Sequence, residues 1–563
     1  IFGLSIGLTT FLLIALFIQY ELNWDRFHEK SNRIYRLQTQ AHLANGDQYW
    51  NQVGFPFGIK LKEMYGEIED VVVTRPVWGE FLSTSEKLTF YEERGLYAQQ
   101  SYFDVFTVKF TEGSPESALI EPYSILLSES LRQKYFGDEK ALGKFIKSNN
   151  RYELKVTGVY EDYPENSSLE ADYISPIQLI EINYGGTLNE QWDNFSFFTY
   201  LLVNDKANLD ILKNKVASFL SEAEQMKNNG TKYTLWLNPL VKVHLVPDPA
   251  SQGFITIVYL FSFVGVFALL LASINFMNLT TAYSANRAKE IAIKKVVGSS
   301  RISLGIQFIF ESLLISFLSL IIALFLTELV LPYFSSVVSR PLDLDFVGNW
   351  RFFILVLGIT TLTGFLSGSY PAFYLSKFNP VKALKSSAAF ANAKSPLRKI
   401  LVTVQFVISS MLILSTLVIY KQFDYMKNKD LGFDKEQVIY AGINPEKNGL
   451  SRKFEIIQTK LGQVSGVVHS TVSFNIPFLG SSGTNLQWEG AEPEQTINSR
   501  YNFVGYDFIE TFGLQIIQGR NFSRDIASDS VEACIINETA TATFNWDNAV
   551  GKKITFWGKD YYV

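Results

Sequence analysis

The chain has 563 residues, and at roughly 150 residues per domain this length predicts three or four folded units. Hydrophobic residues make up 47% and charged residues 19%, which excludes a disordered protein because disordered chains are polar and poor in aromatic residues. The net charge of -5 lacks the positive field that holds nucleic acid, so we expect no nucleic-acid partner. A single cysteine, Cys534, and four scattered histidines exclude an intrachain disulfide and argue against a metal site.

Uncharged apolar runs of about 20 residues recur along the chain, and a helix of that length crosses a bilayer core of about 30 Å. The runs lie at residues 1–20, 254–281, 312–331, 352–373 and 401–420. Five buried helices of a soluble protein are the alternative, but such helices are rarely this long without a charged face. The first run lacks the basic region and cleavage site of a signal peptide, so we interpret it as an anchor.

Two short loops between the runs are strongly basic. Residues 282–301 hold five basic residues and one acidic residue, and residues 374–399 hold six basic residues and no acidic residue. The positive-inside rule therefore places both loops in the cytoplasm. The long segments 21–252 and 421–563 are then extracytoplasmic, which predicts a multi-pass membrane protein of the cell envelope.

The two long segments share a spaced pattern. The matching elements are Tyr102, Phe106, Gly113, residues 125–137 and residues 141–144 in the first segment, and Phe508, Phe512, Gly519, residues 534–544 and residues 549–552 in the second. Their offset stays between 406 and 409 residues, so we interpret them as a duplicated domain. Alternation at residues 151–157 predicts a strand, and residues 128–136 predict a helix that ends at Gly137, so the fold class is a multi-pass α-helical membrane protein with α+β extracytoplasmic domains.

The chain begins at Ile1 without a Met, and 12 residues follow Gly551 where the first copy has about 110 before the next apolar run. We therefore expect a piece of a longer protein, which continues into further outer residues and three more membrane helices.

Residues 285–298 (ANRAKEIAIKKVVG) have helical spacing within the first basic loop. Glu290 is expected to pair with Lys294, and Gly298 to adopt the left-handed conformation that ends the helix. The residues expected on its apolar face are Ala288, Ile291, Ala292 and Val296. Such a helix either rests on anionic lipid or docks into a partner protein, and the residue pattern alone leaves both open.

The same segment resembles the signature R-x-x-E-I-x-I-[KR]-[KR]-x-x-G of FtsX-like, MacB-type ABC transporter permeases. The matching residues are Arg287, Glu290, Ile291, Ile293, Lys294, Lys295 and Gly298. Residues 21–36, 307–316 and 370–384 are similar to other parts of this family, and residues 397–433 resemble the start of the second half of its duplicated form.

The resemblance implies a set of domain boundaries. They are a membrane helix at 1–20, a MacB-like periplasmic core domain at 21–252, an FtsX-like permease domain at 254–399, a fifth membrane helix at 401–420 and a second, incomplete MacB-like core domain at 421–563. Within the permease domain, membrane helices are expected near 254–281, 302–333 and 352–373, with a cytoplasmic coupling helix at 285–298. The residues implied to contact an ATPase are Arg287, Glu290, Ile291, Lys294, Lys295 and Gly298.

A P-loop is not recognisable in the sequence. Its nearest approach, residues 137–145 (GDEKALGKF), has the wrong glycine spacing and a Phe at the magnesium-binding position, so we interpret it as a helix end and turn. The resemblance then implies a chain that is not an enzyme and holds no cofactor, with ATP and magnesium on a dimer of separate ABC ATPase subunits. The further partners implied are membrane lipid and a periplasmic adaptor or outer-membrane component.

The function implied is that of a permease subunit that transmits ATPase-driven motion to extracytoplasmic domains, for efflux or release of an envelope substrate. The alternative is a non-transporting envelope sensor or scaffold, such as a regulator of cell-wall hydrolases. Glu311 and Glu328 lie near span ends and are expected to snorkel or form structural pairs. The aromatic residues around Tyr102 and Phe106 are expected to pack in a core.

Overall fold

The computed structural model describes the chain except for residues 44–45, 78, 86–87, 224–231, 252, 287, 346–349, 377–395, 435, 443–453, 477–481 and 493–494. Its residues form two compact units. The helical unit comprises Ile1–Trp24 and Gln252–Asn428, and the α/β unit comprises Asp25–Ser251 and Lys429–Val563.

Helix α1 (Phe2–Leu22) opens the chain and is followed by a mixed α/β domain. The strands of this domain are β1 (Ile34–Leu43), β2 (Gly46–Trp50), β3 (Ile68–Val77), β4 (Glu80–Ser85), β5 (Leu88–Glu92), β6 (Gly95–Ala98), β7 (Phe110–Gly113), β8 (Ser124–Ser128), β9 (Phe145–Ser148), β10 (Tyr152–Tyr160), β11 (Tyr173–Pro176), β12 (Phe198–Val203) and β13 (Lys232–Pro239). Its helices are α2 (Pro56–Met64), α3 (Tyr102–Val105), α4 (Glu129–Phe136), α5 (Gln178–Tyr184), α6 (Leu209–Glu222) and α7 (Leu240–Val243).

These strands form one sheet in the order β13-β1-β12-β3-β6-β11-β8-β10-β9-β4-β5, with β2 paired to β1 and β7 to β10. The neighbours β8 and β10 run parallel, as do β6 and β11, whereas β1 lies antiparallel between β12 and β13. Apolar side chains cluster around Leu37 in one core and around Tyr102 and Phe106 in another. The aromatic residues there are core residues, as predicted.

The predicted local elements of this domain are present. Strand β10 buries Leu154 and Val156 and exposes Glu153, as the alternation requires. Helix α4 starts after Ser128, whose Oγ accepts a hydrogen bond from the N–H of Leu131, and ends at Gly137 with φ of 60°. Residues 137–145 therefore form a helix end and a turn.

The helical unit continues with α8 (Ile255–Asn286), α9 (Ala288–Val296), α10 (Arg301–Val338), α11 (Trp350–Ser376) and α12 (Pro396–Asn428). Five helices in the described part of the chain are long and apolar enough to cross a membrane. Their candidate spans are Phe2–Leu22, Ile255–Thr281, Arg301–Val338, Trp350–Ser369 and Lys399–Asn428. With 38 residues, α10 is about 57 Å long at 1.5 Å per residue. The predicted fold class is confirmed.

Small residues bring these helices close together. A Cβ on Gly7 of α1 would lie 2.3 Å from the Cβ of Ala272 in α8. A Cβ on Gly368 of α11 would lie 2.8 Å from the Cβ of Ser312 in α10. Close backbone approach of this kind is how helices associate without a hydrophobic driving force in lipid.

The chain after α12 folds into a second, smaller α/β region. Its elements are α13 (Phe454–Leu461), β14 (Ser482–Trp488), β15 (Ile497–Tyr501), α14 (Phe508–Thr511), α15 (Glu538–Thr543), β16 (Lys553–Phe556) and β17 (Lys559–Tyr562). The strands pair in the order β15-β14-β16-β17, and Leu486, Ile497, Phe544 and Ile554 form the buried cluster beneath them.

Glycines with positive φ recur at the spacing of 406 to 409 residues that relates the two long segments. Gly113 and Gly519 have φ of 80° and 79°, and Gly143 and Gly551 have φ of 81° and 85°. Helix α15 is capped by Asn537, whose Oδ1 accepts from the N–H of Ala540, as Ser128 caps α4. These shared features support a duplicated domain, while the domain boundaries stay a prediction.

Candidate functional site

The site singled out by the sequence is the short helix α9 between two long helices. At its end, the N–H of Gly298 donates to the carbonyl of Lys295 over 3.1 Å and the N–H of Ser299 donates to that of Lys294 over 2.9 Å. Gly298 has φ of 109°, so the predicted left-handed helix end is present. Ser300 then caps α10 through its Oγ, which accepts from the N–H of Ser303. Helices α9 and α10 are thus joined by a tight turn.

One apolar side chain anchors α9 to the long helices. Ile291 is 5% exposed and packs with Leu304 and Phe308 of α10 and Ala372 of α11. The side chains of Ala288 and Ala292 and all of Arg287 lie outside the described residues. Ile291 therefore fixes α9 against the ends of two candidate spans.

A chain of polar contacts leads from α9 into α10. Lys294 Nζ lies 3.1 Å from Glu290 Oε1, which is the predicted i,i+4 pair. The same Nζ donates to Oε1 of Gln307 over 3.3 Å, and Nε2 of Gln307 donates to Oε1 of Glu311 over 2.9 Å. Glu311 therefore takes part in a structural contact chain, which we call the polar relay (Glu290, Lys294, Gln307 and Glu311).

The outer surface of α9 is apolar. Ile293 is 55% exposed, Val296 is 65% exposed and Val297, just after the helix, is 82% exposed. Spacing grouped Ile291 with Val296 on one apolar face, whereas the structure buries Ile291 and exposes Val296. It follows Ile291 by five residues, which is about 140° around a helix with 3.6 residues per turn. The helix thus carries an unburied apolar surface beside its basic residues.

Lys295 lies on the same short helix. Partial burial, together with repulsion from Arg301, lowers the pKa of its ammonium group. Of the predicted residues, the structure brings Glu290, Ile291 and Lys294 into contact with neighbouring groups and uses Gly298 to end the helix. Whether any of them contacts an ATPase stays a prediction.

The sequence did not identify three residues of α10 that contact α9, namely Leu304, Gln307 and Phe308. A signal for one of them exists, because Gln307 and Glu311 are spaced i,i+4 and therefore share a helix face. That α9 folds back against this face could not be read from local spacing.

Two parts of the chain match models of known protein families. Residues 1–219 match the MacB-like periplasmic core domain, and residues 262–380 match the FtsX-like permease C-terminal domain. Helix α9 and the polar relay lie within the second match.

Similar curated proteins include the macrolide export ATP-binding/permease protein MacB of Bdellovibrio bacteriovorus, which is 22% identical over 46% of this chain and 38% of its own length. The ABC transporter permease YvrN of Bacillus subtilis is 24% identical over 50% of this chain and 68% of its own length. Among solved structures, the periplasmic region of MacB from Actinobacillus actinomycetemcomitans is 17% identical over 35% of this chain and 87% of that one, with a TM-score of 0.27.

Proposed function

Since the chain belongs to the FtsX-like, MacB-type permeases, we propose that it is the membrane subunit of an ABC transporter whose ATPase subunits dock on α9. In this proposal a dimer of separate ATPase subunits holds ATP and magnesium, and its closure displaces α9. The long helices pass the displacement to the extracytoplasmic domains, for efflux or release of an envelope substrate. A periplasmic adaptor or outer-membrane component would receive that substrate.

The observation that carries the proposal is the exposed apolar surface of α9. Within the part of the chain that the structure describes, Ile293, Val296 and Val297 are more than half exposed, and covering such apolar surface is favourable by about 25 cal/mol per Å². On the opposite side, Ile291 and the polar relay tie the helix to α10 and α11. A helix exposed on one side and anchored on the other is suited to receive a partner and to move the helices behind it.

A lipid-surface role is the second candidate, because Lys294 and Lys295 beside exposed apolar residues also suit an anionic membrane. Glu290 separates the two functions. Its side chain is 45% exposed, and an acid gains nothing from anionic headgroups. A non-transporting sensor or scaffold would follow if α9 bound lipid alone.

The test uses the full chain co-expressed with its ATPase. We expect Val297→Glu and Glu290→Lys each to reduce ATPase co-purification at least tenfold, because both change the docking surface without touching a buried side chain. Val468→Glu is the matched control, since Val468 is 84% exposed in the other unit. Unchanged co-purification in both α9 variants, with stronger binding of Glu290→Lys to anionic liposomes, would instead support the lipid-surface role.

A further inference from the structure

Three strands of the first α/β domain bring a hydroxyl, an imidazole and a carboxylate into a row. Nε2 of His42 on β1 lies 2.9 Å from Oγ1 of Thr234 on β13, and Nδ1 of His42 lies 2.8 Å from Oδ1 of Asp47 on β2. Nε2 of Gln40 donates to the other carboxylate oxygen of Asp47 over 2.6 Å. We call Thr234, His42 and Asp47 the threonine triad.

The register of β1 with β2 and β13 places these side chains on one face of the sheet. His42 lies opposite Asp47 on β2 and opposite Lys232 on β13, while Gln40 lies opposite Thr234. Residues directly opposite each other share a face, and so do residues two apart along a strand. Lys232 therefore belongs to the same face as the threonine triad.

The partners of His42 determine which of its nitrogens carries the proton. An ionised carboxylate only accepts, so Nδ1 of the neutral imidazole carries the hydrogen and donates to Asp47. Nε2 then has a free lone pair and accepts from the hydroxyl of Thr234. The bonds from His42 and Gln40 lower the pKa of Asp47, which keeps its carboxylate ionised. Thr234 thus has a base at its hydroxyl, and a third group orients that base.

We propose that the threonine triad is an esterase site in which Thr234 is the nucleophile and His42 is its general base. A nucleophile, a base and an orienting group within hydrogen-bond reach form the arrangement that activates a hydroxyl. The side chains of His42 and Asp47 are 33% and 46% exposed, so a substrate in solution reaches them. This activity needs no ATPase and does not depend on the proposed function. Sequence reasoning did not find the set, because His42 and Thr234 are 192 residues apart.

The reaction consists of two displacements at the carbonyl carbon of the ester. Oγ1 of Thr234 bonds to this carbon, its proton passes to Nε2 of His42, and the carbonyl oxygen becomes an anion that the ammonium group of Lys232 stabilises. The carbonyl then re-forms, the bond to the alcohol oxygen breaks, and the alcohol takes the proton from His42. Water next bonds to the acyl carbon and gives its proton to His42. The bond to Oγ1 breaks, Thr234 regains the proton, and a carboxylic acid is released.

The aromatic side chains beside Thr234 indicate the class of ester. Tyr49 lies opposite Gln40, and Trp236 follows Thr234 by two residues, so both rings lie on the face of the threonine triad. The ring centroids are 6.4 Å apart in an edge-to-face arrangement, and both side chains are half-buried. Such rings offer apolar contact to a short acyl chain. We therefore assign the site to carboxylic esters with short apolar acyl groups.

The test measures hydrolysis of p-nitrophenyl acetate by the purified full chain in detergent, without ATP. We expect Thr234→Val to lower kcat about 100-fold, the size of effect typical of acid–base assistance, whereas Thr234→Ser keeps most of the rate. Thr157→Val is the matched control, because Oγ1 of Thr157 donates to the carbonyl of Ala118 over 2.6 Å and has no histidine partner. Equal rates for the wild type and Thr234→Val would overturn the proposal.

Chemical rescue tests the base, since a purely structural histidine is not replaced by a small molecule in solution. His42→Ala should lose activity as Thr234→Val does, and added imidazole should restore part of it. The double variant His42→Ala, Thr234→Val should not be rescued, which separates rescue from hydrolysis by imidazole itself. His469→Ala, at an exposed histidine outside the triad, should keep the wild-type rate. Equal rescue of the single and double variants, or equal losses in His42→Ala and His469→Ala, would overturn the proposal.

A fluorophosphonate probe identifies the nucleophile directly, because Oγ1 displaces fluoride from phosphorus and stays bound. Peptide mapping should find the adduct on Thr234 in the wild type. Asp47 is a positioning residue, so Asp47→Asn should slow labelling and lower kcat at least tenfold with little change in KM. The amide at position 47 can donate to Nδ1, which leaves the proton on Nε2, where Thr234 needs an acceptor. An adduct on another residue, or none, would overturn the assignment of Thr234.

Discussion

Nε of Arg340, two residues beyond the end of α10, lies 2.7 Å from Oε1 of Glu21 in the last turn of α1. Glu21 is 1% exposed, and the guanidinium of Arg340 also lies over the ring of Trp24, 5.2 Å from its centroid. This ion pair joins the ends of two candidate spans within the helical unit.

Loss of Arg340 alone should destabilise the chain more than loss of both Arg340 and Glu21. Arg340→Leu leaves the buried carboxylate of Glu21 without its guanidinium partner, which typically costs about 3 to 5 kcal/mol. The double variant Glu21→Leu, Arg340→Leu removes the buried charge as well, so its thermal unfolding temperature should lie between those of the single variant and the wild type. Equal unfolding temperatures for the single and double variants would contradict this role.

The packing of α10 against α11 can be tested at two glycines of α11. A Cβ at Gly368 would lie 2.8 Å from Ser312 Cβ and 3.2 Å from Ile309 Cα, so Gly368→Ala should destabilise the chain by about 1 to 3 kcal/mol. Gly358 has nothing within 4 Å, and Gly358→Ala should be neutral or slightly stabilising. Thermal unfolding in nanodiscs measures both, and a similar change of stability in the two variants would contradict a role of close packing at Gly368.

The polar relay should matter for coupling more than for docking. Gln307→Leu removes both of its contacts, to Lys294 and to Glu311, but leaves the exposed surface of α9 unchanged. We expect normal ATPase co-purification and a severalfold loss of the hydrolysis rate that the permease stimulates. Ile306→Leu is the control, because Ile306 is 62% exposed on the same helix. A drop in co-purification would instead place Gln307 in docking.

The turn at the end of α9 requires glycine at position 298. Gly298 has φ of 109°, a conformation that β-branched residues rarely adopt, so Gly298→Val should change the exit of α9. Lower ATPase co-purification is the expected result. Gly305→Ala serves as the comparison, because a Cβ there would meet a neighbour only at 4.0 Å.

Asp25 and His28 are two buried groups near the start of the α/β unit. Their titrations should change the stability of the chain in opposite directions as pH rises. Burial raises the pKa of Asp25 to about 6 despite its bonds from Ser168, and burial lowers the pKa of His28 to about 4. Asp25 therefore contributes stability that is present below about pH 4 and is lost as pH rises through 6. His28 contributes stability that is present above about pH 6.5 and is lost as pH falls through 4.

Asp25→Asn should reveal the His28 contribution alone. The amide can keep both bonds to Ser168, and Asn tolerates the φ of 58° at this position. We expect the unfolding temperature of this variant to rise between pH 4.5 and 6.5, whereas that of the wild type stays nearly level. Asp210→Asn, at a side chain 92% exposed, should follow the wild type. Parallel profiles for Asp25→Asn and wild type would refute the assignment.

The predicted topology is testable with single cysteines. Ser299→Cys should resist a membrane-impermeant thiol reagent in intact cells, and Ser339→Cys should react. Ser299 is preferable to Ser300, because Ser300 caps α10. Burial raises the pKa of the native Cys534 to about 11, which keeps its background reaction low. Reaction at Ser299→Cys but not at Ser339→Cys would invert the topology.

Hydropathy located the long helices but not their ends. The fifth run was expected at residues 401–420, whereas α12 extends over Pro396–Asn428. Charged residues end an apolar run, but they do not end a helix, whose hydrogen bonds continue into water. Residue type predicted helix ends better at turns, where Gly137 and Gly298 end helices as predicted.

The contacts of α9 show where sequence reasoning stops. Spacing within one helix predicted the pair of Glu290 and Lys294, because both residues belong to the same turn. Gln307 meets Lys294 only because Gly298 and Ser300 fold two helices back on each other, and this angle is set by tertiary packing around Ile291. Spacing also grouped Val296 with Ile291 on one apolar face, but Ile291 packs against α10 and α11 while Val296 is exposed, because spacing within α9 does not show where the partner helices lie.

The length of α10 makes the thickness of the host lipid an experimental variable. About 57 Å of helix exceeds a hydrocarbon core of about 30 Å, and Tyr333 and Val337 near its end are 75% and 64% exposed. A helix with this mismatch must tilt, or it must project apolar turns into the headgroup region, and both responses depend on acyl-chain length. Reconstitution in short-chain and long-chain lipids therefore imposes different tilts on the same polypeptide, so activities measured in the two bilayers are not interchangeable.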